Sequence, residues 1–121
     1  MTSIAQVLVG LVAVLHLGFL ALEMFYWNTP RGRAVFGTTR EFAAESATLA
    51  ANQGLYNGFL SAGLVWGLIA PDPVVGFQFQ VFFLICVIVA GLYGARTVSS
   101  RILFIQATPA GIALFAVLLG Q

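Results

Sequence analysis

The length of its apolar runs is what most restricts the folds open to this chain. Ile4 to Trp27, Thr48 to Ala70, Phe77 to Ala95 and Ile102 to Gly120 each approach the ~20 residues that cross a ~30 Å hydrocarbon core as a helix. Backbone N–H and C=O groups in hydrocarbon have no water to bond, so runs of this kind are expected to be helical throughout. The links at Pro71-Asp72-Pro73 and from Arg96 to Arg101 are long enough only to reverse the chain. The expected fold is therefore all-α: a four-transmembrane-helix up-and-down bundle, forming one membrane domain over residues 1–121.

Composition supports this reading and removes others. Of the 121 residues 60% are apolar and 7% charged, mean hydropathy is +1.00, and there is no lysine; soluble domains carry roughly one quarter charged residues. Five arginines stand against four acids, and the arginines fall in two short clusters, so there is no basic face for a nucleic acid. Cys86, the single cysteine, sits in an apolar run and cannot form an intramolecular disulfide. The first apolar run has no basic stretch before it and no small-x-small site after it, which reads as a retained span rather than a signal peptide.

Arginine placement gives an orientation. Arg31, Arg33 and Arg40 lie between the first two spans and Arg96 and Arg101 between the last two, while the Pro71-Asp72-Pro73 link has none. The positive-inside rule puts the arginine-bearing links in the cytoplasm and both termini outside it, in what is expected to be the plasma (inner) membrane. Tyr26, Trp27 and Tyr93 then fall at the inner interface, and Trp66, Gln78 and Gln80 read as anchors at the outer one. Thr38 with Glu41 three residues later has the form of a capping box, and no breaker follows, which predicts a continuous helix from Thr39 to Ala70 with its first two turns in water.

Ionisable and amide side chains inside these runs are the functional signal. His16 and Glu23 share a face of the first span but lie ~10 Å apart along it. By depth, Asn52, Gln53 and Gln106 fall level with Glu23, and Asn57 and Tyr56 nearer His16. Glu, Asp, Lys and Arg are expensive at membrane depth and must face a partner, water or the bundle interior. These residues are expected to form a polar chamber in the cytoplasmic half. Glu23 and His16 are its candidate catalytic pair, since a carboxylic acid can give a proton that a neutral imidazole can take. Asn52, Gln53, Tyr56, Asn57 and Gln106 are the candidate ligand-binding groups, for an apolar or amphipathic small molecule. Pro109 has no N–H, which predicts a kink or a freed carbonyl near Gln106.

Two other readings use the same residues. The amides can simply bond helix to helix, as in an accessory or scaffold subunit within a homo-oligomer or larger membrane complex; or the polar column can conduct protons or a solute. One His with a distant Glu gives too few ligands for zinc, and a haem would have a single axial His, so no metal site is expected and the cofactor is left open. Gly54 and Gly58 form a small-xxx-small pair that reads first as packing within the chain and second as a dimer seam.

His16, Glu23 and Trp27 followed by Thr29-Pro30-Arg31-Gly32, then Asn52-Gln53-Gly54-Leu55-Tyr56-Asn57-Gly58-Phe59-Leu60, then Gln106 with Pro109, form a pattern over essentially the whole chain. In it the chain resembles the small integral-membrane family catalogued as domain of unknown function 1304. The resemblance implies the four-span architecture and this choice of polar residues; it implies no activity.

The orientation can be tested with Cys86 replaced and single cysteines placed at Thr38 or Asp72. An impermeant maleimide applied to intact cells should label position 72 and spare position 38. Labelling at 38 in preference to 72 overturns the assignment.

Overall fold

The computed structural model describes residues 3–120, and among them every regular element is helical. Helix α1 spans Ser3–Met24, α2 Pro30–Phe36, α3 Arg40–Ile69, α4 Pro73–Thr97 and α5 Thr108–Leu119, with a π-helical turn at Leu103–Ala107 leading into α5. Two of them, α1 and α4, are long and apolar enough to cross a membrane, which suggests a membrane location. Only 28% of the most apolar window of each is buried, and large apolar side chains such as Ile4, Leu11, Phe82 and Val89 point outward.

Contacts gather into two compact units, one of Met1–Val14 with Leu60–Gln121 and one of Leu15–Phe59. The first has an aliphatic core that includes Val9, Leu64, Leu84, Val87, Ala113 and Val117. Two side chains stitch its helices together. Ser61 Oγ donates to the Ala13 carbonyl at 2.7 Å, and Gln80 Nε2 donates to the Gly67 carbonyl at 2.8 Å. Gln80 is thus not an interface anchor as the sequence suggested; it is 1% exposed. Glycines allow the approach, because a Cβ built at Gly67 would lie 2.7 Å from Gln80 Cγ. A span's end is an ambiguous place for an amide: it can bond to headgroup water or to a neighbour's backbone, and here glycine opens the second route.

The second unit contains α2, which the apolar pattern alone does not reveal. Its ends are nevertheless written locally. Thr29 caps it, its Oγ1 accepting from Gly32 N at 3.2 Å; Pro30 opens it; and Gly37, at φ 67°, closes it in the left-handed region. Gly32 cannot be larger, since a Cβ there would fall 2.0 Å from the Tyr26 carbonyl oxygen. Helix α3 is continuous over 30 residues, close to the predicted range. Its cap is one residue later than expected: Phe42 N donates to Thr39 Oγ1 at 3.1 Å, while Thr38 Oγ1 is buried without a partner among the described residues. With Arg40 as the first helical residue, Thr39 is the position whose hydroxyl faces the free N–H groups.

The last apolar run is remodelled by Pro109. Its ring would clash with the carbonyl four residues back in a regular helix, and the turn before it widens to π geometry. Thr108 then donates both its N–H and its Oγ1 to the Leu103 carbonyl, five residues back, the hydroxyl at 3.0 Å. Helix α4 packs on this turn through Gly91, where a Cβ would come within 2.7 Å of Ala107 N.

Gly91→Ala should therefore destabilise the protein by about 1–3 kcal/mol, the usual range for overpacking. Gly10→Ala, with nothing within 4 Å of the added carbon, should be neutral or slightly stabilising. Thermal unfolding in detergent reads both; equal Tm for the two variants contradicts the packing described.

Candidate functional site

Within the unit Leu15–Phe59 the C-terminal part of α1 lies against α3. Glu23 Cβ is a near neighbour of Gly54 and Leu20 Cδ1 of Gly58, so a forward step along α1 is a backward step along α3 and the two run antiparallel here. The approach is close because both facing positions lack a side chain. A Cβ at Gly54 would lie 2.7 Å from Met24 Cγ and 3.2 Å from the Leu20 carbonyl oxygen, and one at Gly58 2.7 Å from Leu20 Cδ1. The small-residue pair is thus used inside the chain.

Between these glycines Asn57 reaches across, its Nδ2 donating to Glu23 Oε1 at 2.5 Å. Both residues are buried, Glu23 at 5% and Asn57 at 8% exposure. The sequence placed Asn57 one turn deeper than Glu23, and the difference has a simple cause. Side chains on a helix lean toward its N-terminus, so the Glu23 carboxyl swings back toward the level of Leu20, which is where α3 presents Gly58 and its neighbour Asn57.

His16 is fully buried and meets Phe19 edge to face, with ring centroids 5.2 Å apart. It shares the unit with Glu23 and Asn57. The remaining candidates are placed differently. Asn52, Gln53 and Tyr56 are exposed, and Asn52 sits about 140° around α3 from Asn57 at ~100° per residue. An enclosed chamber lined by Asn52 and Gln53 beside Glu23 is therefore not what α3 presents; the sequence does not tell on which side of the helix each of them lies. Gln106 is half-buried in the π-helical turn of the other unit, and π turns often occur at functional positions. Among the described residues no group of three or more His, Cys, Asp or Glu is placed to hold a metal ion.

Further hydrogen bonds tie the ends of this unit. Trp27 Nε1 donates to Ser46 Oγ at 3.1 Å, and Ser46 Oγ donates to the Phe42 carbonyl at 2.6 Å, joining the segment after α1 to the first turns of α3. Arg33 donates from one guanidinium nitrogen to both the backbone and side-chain oxygens of Asn28, at 2.9 and 2.8 Å. Of these, the Trp27–Ser46 bond links the chain just beyond Glu23 to α3. The sequence signalled the aromatic residues but not Ser46 as their partner.

Residues 10–118 match the family described as Protein of unknown function (DUF1304). The chain belongs to this family. It is also 30% identical over 122 residues, covering 98% of this chain and 97% of the relative, to a protein of Lactococcus lactis subsp. lactis (strain IL1403) described as uncharacterized protein YpaA. No solved structure matches the chain. Membership covers both helices of the Glu23–Asn57 pair, so this DUF1304 chain carries the pair within its family region.

Asn57→Leu leaves the buried Glu23 carboxyl without its amide donor and should cost about 1–3 kcal/mol. Adding Glu23→Leu to that variant should restore much of the loss, because two apolar groups replace two bonded polar ones. A double variant no more stable than Asn57→Leu alone, measured by thermal unfolding in detergent, contradicts a direct Glu23–Asn57 coupling.

Proposed function

We propose that this chain is an integral membrane protein of four spans forming a single membrane domain. In this reading α1, α3, α4 and the π turn with α5 all cross the bilayer, with both termini outside the cytoplasm. Its function is acid–base chemistry on a small amphipathic or apolar molecule held at the cytoplasmic half of the membrane. Glu23 is the proton-exchanging group, Asn57 its partner and His16 the second acid–base group on the same face. Gln53, exposed on α3 in the same unit, is the further polar group offered to a ligand.

The observation that carries this reading is the identity of Glu23's partner. A carboxylate tied to arginine is locked in its charged form; one bonded to a carboxamide is not, because Asn offers both a donor and an acceptor and can pair with either protonation state. Asn57 is that carboxamide. A buried ionisable group in a span is a functional candidate by default, and here it has been left able to gain and lose a proton. Outward apolar side chains on α1 and α4 support the lipid environment in which this matters.

One set of contacts favours a second reading. Asn57, Ser61 and Gln80 each bond to another helix, which is what polar side chains do when they only hold a bundle together, each for roughly 0.6 kcal/mol. The protein would then be an accessory or scaffold subunit.

Mass spectrometry of the purified protein separates the two. A small amphipathic molecule should co-purify with the native chain and be depleted at least several-fold in Glu23→Gln, which keeps shape and hydrogen bonding but loses the titratable proton, with Tm unchanged. His16→Leu should behave likewise. Equal retained material in all three proteins, with Asn57→Leu failing to fold, transfers the conclusion to the scaffold reading.

A further inference from the structure

Leu49, Asn52, Tyr56 and Phe59 follow one another along α3 at spacings of three, four and three residues, and all are exposed. That spacing is the heptad seam along which one helix meets another. Asn52 and the adjacent Gln53, also exposed, make no hydrogen bond to any described residue. On the four-span reading, on which this inference rests, these carboxamides lie within the hydrocarbon, where nothing in lipid can bond to them. Asn57 on the inner side of the same helix shows how such a group is normally accommodated: it is buried and paired.

We propose that this outward face of α3 is the seam of a homodimer, covered by the same face of a second copy of the chain. A carboxamide is self-complementary. It carries one acceptor and two donor hydrogens, so Asn52 of one copy can both give to and take from Asn52 of the other. Two copies inserted with the same topology are related by a two-fold axis along the membrane normal, which sets each residue opposite itself. An unrelated partner would need its own amide at this depth; the second copy supplies it. A polar Asn among apolar seam residues fixes register and number of strands in paired helices, and Leu49, Tyr56 and Phe59 provide the apolar contact around it. The glycines of α3 do not compete for this role, since Gly54 and Gly58 already face Leu20 and Glu23 within the chain.

The test uses the full chain with Cys86→Ser and single cysteines, oxidised in native membranes. Leu49→Cys and Phe59→Cys should give a product of twice the chain's mass, and Leu11→Cys, on an outward face of α1, should not. Adding Asn52→Leu should reduce the Leu49→Cys product at least fivefold without lowering Tm in detergent. Absence of the product, equal cross-linking at Leu11→Cys, or a product whose mass includes a different protein overturns the dimer. Impermeant labelling of positions 38 and 72 in the same membranes keeps the readings apart: the expected topology with no Leu49→Cys product removes the seam alone, whereas a chain extracted by alkaline carbonate removes the four-span reading and the seam with it.

Discussion

The close approach of α1 and α3 at Gly54 and Gly58 is the constraint on which the site depends. A Cβ at Gly54 would crowd α1 itself, falling 2.7 Å from Met24 Cγ, 3.1 Å from Glu23 Cβ and 3.2 Å from the Leu20 carbonyl oxygen, whereas one at Gly58 would press only on Leu20 Cδ1, the end of a flexible side chain that can turn aside. At that separation an asparagine, one of the shorter polar side chains, spans the gap to a glutamate leaning back along its own helix. Backbone packing and the polar pair are thus one feature: van der Waals contact between small residues brings the helices in, and the bond sets their register.

Chemistry follows from what that bond is made of. Pairing a buried carboxyl with a neutral amide gives less Coulombic stabilisation than pairing it with arginine, but it leaves the proton count free to change. The arginines are spent elsewhere, at the ends of the apolar runs, where Arg33 closes the loop through Asn28. A chain that needed Glu23 only as an anchor would be served as well by glutamine. The presence of an ionisable group where an amide would bond equally well is what motivates the proposed proton-exchanging role.

Much of this organisation was legible in the sequence, and the failures have specific causes. The all-α content, the long α3 and the turn at Asp72 follow from apolar length, a cap and two prolines, all local signals. Helix α2 was equally local, in Thr29-Pro30 and Gly37, but a seven-residue helix has no apolar run long enough to announce it. Grouping Glu23 with Asn57 was within reach; the register was not, because depth counted along Cα positions ignores the lean of a side chain toward its helix N-terminus. Asn52, Gln53 and Asn57 could not be assigned to a side, since α3 carries polar residues on both its inner and outer faces. Gln80 illustrates the remaining ambiguity: nothing local distinguishes an amide facing headgroups from one bonded to a neighbour's backbone, and the decision rests on Gly67, thirteen residues away.

The central claim is that Glu23 exchanges a proton while held by Asn57 within the membrane. Infrared difference spectroscopy of the purified protein in lipid nanodiscs, with carbon-13 label in glutamate carboxyl groups, tests it most directly. A carboxylic acid stretch absent from Glu23→Gln should convert to carboxylate as pH is swept, and should change frequency in Asn57→Leu because its hydrogen-bond partner is gone. A Glu23 band that neither titrates across the stable pH range nor responds to Asn57→Leu would contradict the account.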